Sequence, residues 1–139
     1  MKRTIQFLIL TSFFMLNGCG TKGPSESEIL RNEVIAIHDE VMPKMGMLQS
    51  LQRKALDKAG ELELENPVDS AKVLEYKAVA YDLDHAYDAM FDWMHQYKSK
   101  DDEQTQEELK EYLEEQMVLV TEVNVEVKTA LEKAEKLLK

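Results

Sequence analysis

Apolar positions recur along this chain in steps of three and four, in three separate stretches. The first stretch runs from about Ser25 to Gly60, with Leu30, Val34, Ile37, Val41, Met45, Leu48, Leu51 and Ala55 on one stripe. That spacing fits the 3.6-residue period of an α-helix. Ser25 followed by Glu28 matches a capping box at its start. Pro43 and Gly46 interrupt the stripe. A proline inside a helix removes the hydrogen bond to the carbonyl four residues back, here Asp39, at a cost of roughly 3 kcal/mol. The pattern predicts a first helix kinked or broken near Pro43.

Asn66-Pro67 reads as the next start, an Asn cap with Pro in the first turn. The stripe Tyr76, Val79, Leu83, Ala86, Met90, Trp93 and Tyr97 then alternates strictly to about Lys98. A polar loop follows. Thr105 with Glu108 makes a second capping box, opening a third helix to about Leu138. Its stripe is Leu109, Leu113, Met117, Val120, Val123, Val127, Leu131, Ala134 and Leu138. The run Val123-Asn-Val-Glu-Val127 alternates like a strand, but its flanks are helical and no turn residue brackets it. Short connections make neighbouring helices antiparallel. The expectation is an all-α domain over 25–139, an elongated antiparallel three-helix bundle.

Centring the first turn near residue 63 sets His38 level with Ala89 and Met90, and Val34 level with Trp93. His38, Met42 and Met45 share one face of the first helix, and Met90 and Met94 one face of the second. His85 and His95 point elsewhere. Two readings compete for this layer. Thioether and imidazole donors suit Cu(I), which makes His38, Met42, Met45, Met90 and Met94 a candidate copper site. The commoner use of such residues is packing: Met fills irregular core beside a kink, against aromatics such as Trp93 and Tyr112. Pro43 and Trp93 are then structural, and no cofactor is required. Packing is the expectation and copper the alternative; three helices leave little room for haem.

The chain's 139 residues, with 5 Gly and 3 Pro, suffice for one helix-rich domain with a modest core. Its formal net charge of −10 argues against nucleic acid as a partner. Asp82, Asp84, Asp88 and Asp92 recur at steps that favour a solvated face over a divalent-cation site. Neither a metalloprotease His-Glu-x-x-His motif nor a Gly-rich phosphate loop is present, and a non-enzymatic role is expected.

Residues 1–18 read as a signal peptide: Lys2 and Arg3, then an apolar run from Ile5 to Leu16. It ends in Leu16-Asn17-Gly18-Cys19, which resembles a bacterial lipobox. The other reading is an ordinary signal peptide with a chance cysteine. Cys19 is the only Cys in the chain, which favours lipidation there and excludes an intrachain disulfide. Residues 19–24 form a short tether, about 20 Å at most. By the same resemblance, the lack of an inner-membrane retention Asp after Cys19 implies an outer-membrane anchor facing the periplasm.

IHDEVMPKM (37–45) together with AMFDWMHQ (89–96), behind a lipobox, resembles a group of small lipoproteins from Bacteroidota, notably flavobacteria. Some members carry the label "viral A-type inclusion protein", which reflects generic helical similarity. Members often have Met-Met where this chain has Met90-Phe91. The resemblance implies an envelope location and a helical bundle. Together these readings predict a membrane-anchored periplasmic helical lipoprotein, a non-enzymatic binding or structural module of the cell envelope, with a protein partner or self-association as its contacts.

Overall fold

The computed structural model describes residues 23–99 and 104–139. The expected signal peptide, Cys19 and most of the tether lie outside the described residues. Four helices follow in order: α1 (Glu26–Val41), α2 (Met45–Glu63), α3 (Ser70–Gln96) and α4 (Gln106–Leu137). A single 3₁₀ turn, Met42–Lys44, joins α1 to α2. No strand occurs among the described residues, so the Val123–Val127 alternation is helical. The result is an all-α bundle of three rods, the first of them jointed at Pro43. Among the described residues no helix is long and apolar enough to cross a membrane.

Local chemistry sets the ends. Both capping boxes form: the Ser25 hydroxyl accepts from Glu28 N–H while Glu28 accepts from Ser25 N–H, and Thr105 with Glu108 does the same. The second start differs from expectation. Gly60 does not stop α2, which continues to Glu63, and Asn66-Pro67 lies in the reversal as a cis peptide. The cap is Asp69, whose carboxylate accepts from Lys72 N–H at 3.0 Å. The longer α2 needs residues 64–69 to turn back.

The joint at Pro43 is tight. Met42 and Met45 keep right-handed helical dihedrals, while Val41 (φ −108°, ψ −18°) and Lys44 (φ −92°, ψ −6°) relax toward the bridge region. Met45 N–H bonds to the Met42 carbonyl three residues back, so the turn partly replaces what Pro43 removes. Gly46 faces open space, so it loosens this turn without being needed for close packing.

The joint redirects the rod. α1 lies chiefly on α4, running parallel to it, and α2 chiefly on α3, antiparallel. Glu26–Lys110 and Glu40–Lys128 ion pairs mark the first packing, and Gln52–Asp84 and Glu63–Lys77 the second. α1 and α3 are consequently apart in backbone and meet through large side chains. The shared core holds Val34, Val41, Leu48, Leu83, Met90, Val120 and Val127, all completely buried. These are stripe positions, and their burial is the main driving force for the fold.

The α4 stripe contains two polar intruders, Gln116 and Asn124, which are 6% and 5% exposed. Asn124 Nδ2 donates to the Ile37 carbonyl at 2.9 Å and to Glu40 Oε2 at 3.1 Å. Glu40 also pairs with Lys128 at 2.6 Å. The end of α1, one turn before the joint, is thereby tied to α4.

Candidate functional site

Two places bring chemistry-bearing side chains together. The first lies where α1 and α3 stand apart. His38, on the last turn of α1, is 17% exposed. Its Nδ1 is 2.9 Å from Asp39 Oδ1, and its Nε2 is 3.1 Å from Met94 Sδ on α3. Its ring centre lies 5.5 Å from that of Trp93, tilted by 38°. Trp93 is 5% exposed and its Nε1 has no hydrogen-bond partner among the described residues. From Trp93 the aromatic contacts continue to Tyr97 at 5.0 Å and on to Tyr112 of α4 at 6.2 Å. The Tyr112 hydroxyl accepts from Lys98 N–H at 2.6 Å, closing the chain of contacts at the end of α3.

The level at which His38 meets α3 is displaced by one turn from the expected one. His38 meets Trp93 and Met94, where the first-turn estimate had set it beside Ala89 and Met90. The displacement follows from the later reversal at 64–69. Met90 belongs to the buried core, and Met42, in the joint, packs against that core. Met90 is completely buried, and Met42 and Met94 are half-buried against the same core. Met45, 6% exposed, sits one turn further along at the start of α2. His95 is exposed, as expected.

Packing explains much of this layer. The backbone gap left by the joint is irregular, and unbranched Met with Trp93 fills it. Replacing both Met42 and Met45 by Leu is expected to cost less than about 1.5 kcal/mol, as near-isosteric core swaps do. Urea unfolding of the double variant checks this; a much larger loss would mean that Met flexibility itself is required there.

Packing does not explain the surroundings of the His38 ring. Both nitrogens face acceptors, a carboxylate oxygen and a thioether sulfur. A neutral imidazole carries one N–H, so one nitrogen presents a lone pair to its neighbour. Among the described residues no three His, Cys, Asp or Glu side chains converge as a metal site. Any ion held in this layer would depend on the thioethers.

The second place is a groove of about 370 Å³ between α3 and α4, lined by Tyr81, Asp82, His85, Glu126, Thr129 and Lys133. His85 Nδ1 bonds to Glu126 Oε1, and Lys133 Nζ to Asp82 Oδ2 at 2.6 Å. The Glu126 carboxylate holds the His85 pKa above the ordinary imidazole value, through its hydrogen bond first and its charge second. Thr129 Oγ1 donates to the Val125 carbonyl at 2.7 Å, so its hydroxyl is engaged with the backbone. These pairs are more than a third exposed and tie the two helices weakly. The acidic row expected as a solvated face is thus partly used for contacts: Asp82 pairs with Lys133, and Asp84 accepts from Gln52.

Sequence reading missed the Asn124 tie and the His85–Glu126 pair. Asn124 had a usable signal, because Val120, Asn124 and Val127 are spaced four and three like any seam. The second pair had none, since it depends on how α3 and α4 are rotated. Compared with family models, with curated proteins and with solved structures, the chain matches none.

Proposed function

We propose that this chain is a lipid-anchored, non-enzymatic helical module of the cell envelope, held at the outer membrane, facing the periplasm and binding another envelope protein or a second copy. The Leu16-Asn17-Gly18-Cys19 motif and the resemblance to Bacteroidota lipoproteins support the anchor. The geometry of the far end supports the binding role. The bundle opens at the Ser25 cap, a few residues after Cys19, and its rods are long; α4 alone has 32 residues, about 48 Å. The α2–α3 reversal lies at the end remote from Ser25. That end carries Leu64 at 89% exposure, Leu74 at 67% and Val68 at 46%. Apolar side chains left in water together mark contact surfaces more often than isolated ones do. This exposed tip is the observation that carries the reading.

Cys19→Ser is the test of the anchor. The variant is expected to leave the membrane fraction or to accumulate with its signal peptide uncleaved. Normal processing together with normal membrane retention would overturn the reading. For the tip, Leu64→Glu with Leu74→Glu is expected to preserve helicity and anchoring while abolishing co-purification of the partner from detergent-solubilised envelopes.

A further inference from the structure

The layer between α1 and α3 carries an inference beyond the binding role, and it holds whether or not the chain is anchored. We propose that His38 and Met94, with Met42 and Met90 of the same core as further donors, form a binding site for a soft monovalent cation, Cu(I).

The His38 ring gives the first argument. With Nδ1–H directed at the Asp39 carboxylate 2.9 Å away, Nε2 presents its lone pair inward, toward Met94 Sδ. A carboxylate behind one ring nitrogen and a soft donor beside the other is the usual setting of a metal-bound imidazole. The carboxylate fixes the tautomer and orients the ring. The Nε2–Sδ separation is 3.1 Å. Two donors bound to one first-row ion at about 2.0–2.3 Å lie roughly 3.1–3.6 Å apart for angles between a right angle and the tetrahedral value.

The donor set selects the ion. The His38 imidazole and the thioethers of Met94, Met42 and Met90 are neutral and soft, and the only Cys of the chain, Cys19, lies outside the described residues. Such donors favour Cu(I) over zinc, magnesium or calcium, which take thiolate, imidazole or oxygen ligands. The charge is also accommodated. Asp39 stands behind the imidazole, and the Trp93 ring, centred 5.5 Å from that of His38, sets a π system beside it. Access is graded. His38 is 17% exposed, whereas Met90 is completely buried, so the layer opens to solvent at its His38 end.

The experiment uses the full lipidated chain, purified in detergent and titrated anaerobically with Cu(I) held by a chromophoric Cu(I) chelator. One equivalent is expected to transfer from the chelator to the protein. Trp93 is the only Trp in the chain, so its emission reports on the site, and it is expected to change to an end point at the same single equivalent. Ag(I), which is redox-inert, is expected to give the same end point, and excess Zn(II) is not expected to displace either ion. His38→Ala and Met94→Leu are each expected to weaken Cu(I) binding at least tenfold with the far-ultraviolet dichroism unchanged. Met47→Leu, at an exposed position off the layer, is expected to bind as the wild type does. Retention of all copper by the chelator would overturn the proposal. So would uptake that survives both His38→Ala and Met94→Leu, or uptake with no response from Trp93.

Discussion

Trp93→Ala is expected to cost about 3–5 kcal/mol of stability, the largest loss from any single truncation in the bundle. Trp93 fills the space that the joint at Pro43 opens between α1 and α3, and it is 5% exposed. Its ring packs beside those of His38 and Tyr97. The two helix backbones do not lie against each other there, so the surroundings have little means of closing over the cavity. Trp93→Phe gives the contrast. It loses area but also removes Nε1, a buried donor without a hydrogen-bond partner among the described residues. Leaving a polar group buried and unpaired is itself costly, so its removal offsets part of the lost packing. The Phe variant is expected within about 1.5 kcal/mol of the wild type. Urea unfolding followed by far-ultraviolet dichroism measures both. Equal losses from the two substitutions would mean that the indole N–H, and not the ring's bulk, holds this layer.

Asn124→Asp is expected to be the second-largest loss, about 3–5 kcal/mol at neutral pH, although it changes only an amide to a carboxylate. The Asn124 amide donates to the Ile37 carbonyl and to the Glu40 carboxylate. A carboxylate in its place would face two acceptors and one negative charge, and Lys128 is already paired with Glu40. Asn124→Ala, which removes the donor without adding charge, is expected to cost about 1–3 kcal/mol. The pH dependence separates the two cases. In the wild type, hydrogen bonds from Lys128 first and Asn124 second hold the Glu40 pKa below its ordinary 4.5. The Glu40 contribution is therefore present above about pH 4.5 and fades as pH falls through the lower folded-state value. The introduced carboxylate behaves in the opposite sense. Burial and Glu40 raise its folded-state pKa, so its penalty is absent in acid and grows as pH rises toward that value. Thermal unfolding of the Asp variant should thus approach that of the wild type near pH 4 and fall away toward pH 7. A pH-independent difference would show that the loss is steric.

The ends of the helices were legible because they are local. Ser25 with Glu28, and Thr105 with Glu108, need only residues three apart, and both capping boxes form as read. The failed start at Asn66-Pro67 is instructive for the same reason. Asn-Pro is a sound local signal, but where the second rod begins depends on where α2 stops. α2 passes Gly60 because a glycine inside a helix weakens it by only about 1 kcal/mol, which packing against α3 outweighs. One extra turn there moved His38 from Met90 to Met94.

Helicity, the gathering of the apolar stripes into one core and the bend of the first helix at Pro43 can all be read from the residues alone. Each of these follows from periodicity or from a single residue's covalent geometry. Which stripes meet, and at what height, emerges in the packed fold. It alone laid α1 on α4 and α2 on α3, opened the space that Trp93 fills, aimed His38 Nε2 at Met94, and buried Asn124 beside Ile37 and Glu40. The physical reason is that a helix fixes the angle and rise between its own residues, whereas the rotation and register of one helix against another are set by the summed fit of many side chains. That sum depends on the reversals between the helices, and a shift of one turn in either leaves every stripe intact while changing every partner.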